Sequence, residues 1–334
     1  MSATEKHFPP YHRQRDATAD TQGNAESWVT PNRALRYKGA IDTSVALFFL
    51  NTNYTNYMTE ELQRKVDRAV KLIQQAGRDG MEVEVAYSGG KDSDVILELT
   101  RMAGIKYRAI YKNTTIDPPG TIAHAKENGA EVLQPKARFF ELVAKNGAPN
   151  RFSRHCCRYL KEYKVLDRSI MGVRKAESTK RAARYNEPTE CRFYGSKKEH
   201  VEAFYPILDW SDQDVVDFIE ARHIKIHPLY YREDGTIDPK RRLGCMCCPL
   251  ASTKNRLAQL RERPNMVKAY IRAEQKFRDN HPDSKIVKRY ADVYEWAVRE
   301  FFYDKQWQFE QSQGGMFGDI DYKQFLMDYF GIDL

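Results

Sequence analysis

The 334 residues of this chain suffice for one sizeable core with appendages, or for two modest domains. Charged residues make up 30% of it, and its longest apolar run, Val45-Ala46-Leu47-Phe48-Phe49-Leu50, falls far short of the roughly 18 residues that a membrane span requires. No membrane partner is expected, and a polar N-terminus carrying Glu5, His7, Asp16 and Asp20 reads as lacking a secretory signal; the expected location is cytoplasmic, with cysteines reduced or held by a metal.

Residues 1–57 form an N-terminal arm: Pro9-Pro10 and many polar residues open it, and a partly extended, partly apolar stretch from Asn32 to Asn51 suggests a packed hairpin. From Thr59 to Ala76, Leu62, Val66, Ala69, Val70, Leu72 and Ile73 recur at helical spacing behind a Thr59 cap, with Glu60 and Glu61 in the first turn. A βα alternation follows: strand Met81 to Tyr87, helix Asp92 to Ala103, strand Lys106 to Lys112, helix Thr121 to Asn128, strand Glu131 to Leu133 and helix Arg138 to Asn146. Next come a helix from Ser153 to about Lys164, a strand near Arg168 to Val173, an irregular Lys/Arg-rich stretch to about Lys198, a strand around Ala203 to Leu208 and a helix from Ser211 to Ala221. The stretch His227 to Arg242 reads as loop, and beyond Pro249 the chain turns helical, basic and aromatic. The expected fold class is therefore α/β, a doubly wound and mostly parallel sheet over residues 58–250, with the arm before it and a C-terminal helical extension over 251–334.

Between the first strand and its helix lies Ser88-Gly89-Gly90-Lys91-Asp92-Ser93. Gly89 and Gly90 let the backbone approach an anion, and the next helix turns its first free N–H groups to the same point. Lys91 adds a positive charge, and Ser88 and Ser93 add hydroxyls. A Walker A loop would need glycine at position 85 and Ser or Thr after the lysine, whereas Val85 and Asp92 stand there.

In an open α/β sheet, ligands bind outside the carboxyl ends of the strands. The loop after the second strand, Asn113 to Pro119, offers Thr115 and Asp117 to a ribose, phosphate or metal, or is simply a turn. The loop from Gly172 to Arg181 offers Arg174 and Arg181 as forked donors for phosphate or sulfate. The formal charge of +8 concentrates between Arg151 and Arg184, where a basic surface either steers a nucleic acid or gathers small phosphate-bearing substrates. All six cysteines fall between 156 and 248: the tandem Cys156-Cys157, a lone Cys191, and Cys245, Cys247 and Cys248. A tandem pair and a CxxC can hold one metal centre; adjacent cysteines suit a cubane better than a single zinc, and buried or free thiols are the remaining reading.

The glycine loop resembles the SGGxDS pyrophosphate loop of the PP-loop ATP pyrophosphatases. Together with Arg154-His155-Cys156-Cys157-Arg158-Tyr159-Leu160-Lys161, Trp210, Asp214, Pro228-Leu229-Tyr230 and Gly244-Cys245-Met246-Cys247-Cys248-Pro249, it resembles the phosphoadenosine phosphosulfate (PAPS) reductase family of that superfamily, over roughly residues 82 to 250. The resemblance implies an adenine nucleotide site made by Ser88, Gly89, Gly90, Lys91, Asp92, Ser93, Thr115, Asp117, Gly172, Arg174, Glu177, Ser178 and Arg181, with Lys91, Asp92 and Arg174 catalytic. It also implies a [4Fe–4S] cluster on Cys156, Cys157, Cys245 and Cys248, leaving Cys247 and Cys191 outside the pattern.

Two departures bear on function. Reductases of adenylyl sulfates typically show a degraded glycine loop, but Gly89, Gly90 and Lys91 are intact; and no cysteine follows Cys248 to serve as their C-terminal nucleophile. ATP with Mg²⁺ is thus the expected substrate, in an adenylating sulfur transfer similar to that of the ATP pyrophosphatase of DNA phosphorothioation systems and of tRNA thiolases. That similarity implies a nucleic acid acceptor, DNA or tRNA, and a sulfur donor such as a cysteine desulfurase. The alternatives are an adenylyl sulfate or PAPS reductase borrowing Cys247 or Cys191, and a non-catalytic nucleotide or nucleic-acid binding protein.

Overall fold

A computed structural model describes residues 58–194, 199–302 and 321–334. The expected arm, with its stretch from Asn32 to Asn51, lies outside the described residues. Helix α1 (Glu60–Ala76) buries Leu62, Val66, Ala69, Ile73 and Ala76 along one stripe, and the Thr59 hydroxyl accepts from Leu62 N at 3.2 Å. A cap of this kind stabilises a helix by about 1 kcal/mol, and Glu60 and Glu61 complement the positive end of its dipole.

Six strands form one sheet in the order β3-β2-β1-β4-β6-β5: β1 (Val83–Tyr87), β2 (Tyr107–Lys112), β3 (Glu131–Leu133), β4 (Arg168–Ile170), β5 (Thr189–Tyr194) and β6 (Glu199–Phe204). Every pairing is parallel except β5 with β6. Helices α2 (Lys91–Ala103), α3 (Thr121–Glu127) and α4 (Phe139–Asn146) make the early crossovers. Strand order reverses between β1 and β4, which opens a crevice at the carboxyl ends of those strands. One core joins α1, β1, α2 and β2 to α7 (Asp212–Ala221), whose Ser211 and Asp214 cap each other reciprocally.

Three elements differ from the sequence reading. The basic stretch is not irregular: it holds α6 (Thr179–Arg184) and the edge strand β5, in which half-buried residues such as Glu190 and Arg192 alternate with exposed ones, so no apolar period marks it. Strand β6 runs Glu199–Phe204, earlier than expected, because Pro206 has no N–H to continue a ladder and the chain turns at Tyr205. The helix expected from Ser153 to Lys164 contracts to α5 (His155–Leu160).

After the sheet come α8 (Thr253–Glu262), α9 (Pro264–Asn280), α10 (Val293–Phe301) and α11 (Tyr322–Phe330). They share a second core with Ile116, Phe139, Leu142, Val143, Leu160, Met246 and Cys247, so this helical region packs directly around the cysteine-bearing segments. Among the described residues no helix is long and apolar enough to cross a membrane.

Candidate active site

The turn from β1 into α2 is held by its own polar groups. Ser93 donates through N (2.8 Å) and Oγ (2.7 Å) to Gly90 O, Ser88 Oγ lies 3.3 Å from Ser93 Oγ, and Gly90 N donates to Ser88 Oγ at 3.4 Å. Gly89 sits at φ +75°, where a Cβ would also stand 2.8 Å from Thr121 Cγ2, so two independent constraints keep this position glycine. Lys91 is buried, yet its ammonium is 3.2 Å from Asp92 Oδ2 and 5.4 Å from the centre of the Tyr230 ring. Burial pushes the Tyr230 hydroxyl up to about 12, and the neutral hydroxyl accepts from Leu243 N at 3.1 Å.

Across the crevice, Arg174 is 1% exposed and fully engaged: Nε donates to Asp92 Oδ1 at 2.6 Å, one terminal nitrogen to Asp212 Oδ1 at 2.9 Å and the other to Trp210 O at 3.3 Å. Burial acts to lower its pKa, but the two carboxylates outweigh that effect and raise it, so it remains a cation. Gly172 lies so near α2 that a Cβ would stand 2.9 Å from Asp92 O. Ser88 to Ser93, Gly172 and Arg174 therefore come together at the reversal of strand order.

The other expected nucleotide ligands occupy different settings. Glu177 receives Arg181 and Arg242, and Ser178 caps α6 by accepting from Arg181 N at 3.2 Å. Thr115, at φ +64°, accepts from Phe139 N at 2.9 Å and so caps α4. Asp117 accepts from Tyr111 OH at 2.6 Å and from Thr114 N at 3.0 Å, which pins the loop after β2. Of the basic stretch, Arg168, Lys175 and Arg184 are also in ion pairs, with Asp79 and Glu202, with Asp209 and with Glu190.

Cys156, Cys157, Cys245, Cys247 and Cys248 line one cavity of about 30 Å³, closed by Thr114, Ile116, Phe139, Lys161 and Tyr270. The Cys156 thiol donates to Cys157, which draws Cys157 down and pushes Cys156 up. Burial acts to lower Lys161, but Cys245 and Asp117 beside it raise it instead. Cys247 takes φ +55° and its N–H donates to Gln259 Oε1 of α8 at 2.7 Å. Cys191 is apart from this set, exposed on β5. Among the described residues no three His, Cys, Asp or Glu side chains converge as ligands of a single ion. Cys156, Cys157, Cys245 and Cys248, the four expected ligands, thus share the lining of one cavity with Cys247.

Sequence reasoning missed a buried set behind the phosphate loop. Asp94, one turn into α2, accepts from Tyr87 OH at 2.5 Å and is 3.0 Å from His124 Nε2; the His124 ring meets His227 edge-on at 5.7 Å. Burial raises Asp94 and lowers His227, whose Nε2 is 3.1 Å from Pro119 O while Nδ1 accepts from Leu229 N. A charged residue directly before the apolar run Val95-Ile96-Leu97 was the only available signal, and it names no partner. Tyr270 and Gln259 were likewise invisible, and Lys161 and Tyr230, though they stand in the motifs quoted above, were given no role, since these roles depend on chain segments far apart in sequence.

A strand, a glycine turn on a helix N-terminus and a crevice at the reversal of strand order define a PP-loop type of nucleotide-binding protein. The phosphoadenosine phosphosulfate reductase domain model matches residues 82–251, and the chain belongs to that family. Solved structures similar to it include PAPS reductase from Candida auris in a phosphate complex (13% identity, TM-score 0.39, covering 57% of this chain and 96% of that one). Another is FMN adenylyltransferase from Candida glabrata (14%, 0.34, 56% and 63%). A third is the U34-tRNA thiolase NcsA from Methanococcus maripaludis with its [4Fe-4S] cluster (16%, 0.35, 68% and 81%). No curated protein matches the chain in sequence.

Proposed function

We infer that this chain is an ATP pyrophosphatase that adenylates an acceptor for sulfur transfer, with a nucleic acid as acceptor. The observation that carries this reading is the phosphate loop: Gly89 and Gly90 on the N-terminus of α2, beside a Lys91 ammonium braced by Asp92 and Tyr230. Such an arrangement stabilises a departing pyrophosphate, because a fixed cation and the positive end of the helix dipole stand where the negative charge develops. An acceptor oxygen attacks the α phosphorus of ATP, the bond to the β phosphate oxygen breaks and pyrophosphate leaves. Sulfur at the sulfide level, released from a donor persulfide by an external thiol reductant, then attacks the acceptor atom that bears the activated oxygen; the bond to that oxygen breaks and AMP leaves carrying it. Arg174 acts through Asp92, orienting the carboxylate that braces Lys91. Mg²⁺ binds largely through nucleotide phosphates and water and needs only one or two carboxylates from the protein; Asp92 is the carboxylate within the loop.

Cys156, Cys157, Cys245 and Cys248 would hold a [4Fe–4S] cluster, which when bound supplies a site for the incoming sulfur from a donor such as a cysteine desulfurase. Lys161 beside Cys245 then balances charge on that side of the cavity, and Thr114 hydrogen-bonds with the Cys245 sulfur. The test is incubation of anaerobically purified protein with ATP, Mg²⁺ and candidate tRNA or DNA acceptors. Stoichiometric pyrophosphate and AMP support the reading; persistent absence of both, in protein that binds ATP, overturns it.

A further inference from the structure

Most of the basic stretch is neutralised, and the largest group of exposed arginines that is not lies at its N-terminal end. Arg168, Arg174, Lys175, Arg181 and Arg184 are all paired with carboxylates, whereas Arg151, Arg154 and Arg158 are exposed and take part in no ion pair among the described residues. Between them Phe152 is 101% exposed, and Tyr159 follows at 49% with the Arg158 guanidinium 5.1 Å from its ring centre. A single exposed apolar side chain is ordinary. This one is held out by a built turn: Asn150 Oδ1 accepts from Phe152 N (2.9 Å) and Ser153 N (2.8 Å), and Asn150 N donates to Ser153 O (3.0 Å).

The turn is also tied down on both sides. His155 Nε2 is 2.9 Å from Gly147 O, and Arg151 reaches Ala251 O at 3.4 Å, just past Cys248. The same chain runs directly into Cys156 and Cys157, which line the cysteine cavity. An aromatic face presented rigidly among uncompensated arginines is the combination by which proteins hold unpaired nucleotides: the bases stack and the guanidinium groups meet phosphates.

We propose that Arg151 to Tyr159 is a docking platform for unpaired nucleotides of an RNA, with Phe152 as the stacking face, and that it presents the acceptor to the cysteine cavity. This rests on the sulfur-transfer reading above. RNA is the occupant because its loops already display unstacked bases, whereas duplex DNA hides its base faces and must first be opened.

The experiment is fluorescence anisotropy with the full chain, anaerobically and without nucleotide, on a labelled RNA stem-loop, the same sequence as a DNA stem-loop, and a blunt RNA duplex. Wild-type protein should prefer the RNA loop. Phe152→Ala should weaken that binding about tenfold with an unchanged melting temperature, and Phe152→Trp should restore it. Arg154→Gln with Arg158→Gln should weaken binding and flatten its salt dependence. Equal affinity of Phe152→Ala and wild type, equal binding of the duplex or of the DNA loop, or capture of a protein in place of RNA would each overturn the proposal. Because no ATP is present, failure of the pyrophosphatase reading would leave these affinities as predicted.

Discussion

Arg174 donates to Asp92 at 2.6 Å across the crevice where the strand order reverses, and the same carboxylate holds Lys91 on its other oxygen at 3.2 Å. The arginine is therefore tied into the fold, while the lysine is the cation that the proposed function assigns to the phosphates. Arg174→Ala removes a buried side chain with three hydrogen bonds, although Asp92 keeps Lys91, and should destabilise the fold by about 1–3 kcal/mol in chemical denaturation. Lys91→Ala leaves the Arg174–Asp92 pair in place; it should keep most of the stability and lose turnover by about 10²–10³-fold in a pyrophosphate release assay.

Gly172 tests the same crevice from the backbone. A Cβ there would stand 2.9 Å from Asp92 O, so Gly172→Ala must push β4's loop off the first turn of α2. The expected result is weakened ATP binding by isothermal titration, with far-ultraviolet circular dichroism preserved.

Much of this frame was legible in the sequence, for physical reasons that can be named. Strand β1, the glycine turn and α2 lie within a few residues of one another, so local rules suffice. Edge strand β5 was not legible, because exposed and half-buried polar residues alternate in it and an edge needs no apolar face. The basic stretch looked like a free surface because the carboxylates that neutralise Arg168 and Arg174 come from Asp79, Glu202, Asp92 and Asp212, elsewhere in the chain. The cysteine pattern could be read, but its enclosure by Tyr270 of α9 could not.

Lys65 of α1 meets Asp214 of α7 at 2.8 Å, a partly exposed pair between distant elements. Its hydrogen bond to Asp214, opposed by burial, raises Lys65; burial works to raise Asp214, but the bonds from Lys65 and Ser211 prevail and lower it. The Asp214 contribution is therefore complete above pH about 3.9 and is lost as pH falls through its lower folded value; the Lys65 contribution is complete below pH about 10.4 and is lost as pH rises through its higher folded value. Lys65→Met should lower stability by up to about 1 kcal/mol at pH 7, and the difference should vanish in urea titrations at the acid extreme.

The cysteine set makes a spectroscopic prediction. Anaerobically purified protein should be brown, with broad visible absorbance and about four irons per chain. Cys156→Ser or Cys248→Ser should bleach it, while Cys191→Ser, on exposed β5, should leave the spectrum unchanged. A colourless protein with stoichiometric zinc would contradict the assignment.

The loop built around Lys91 is proposed to cleave ATP between its α and β phosphates. Mass spectrometry of the nucleotide products after turnover with an acceptor decides it most directly. AMP and pyrophosphate in equal amounts, absent with Lys91→Ala, is the predicted result; ATP left intact while an adenylyl sulfate or PAPS is converted to sulfite would contradict it.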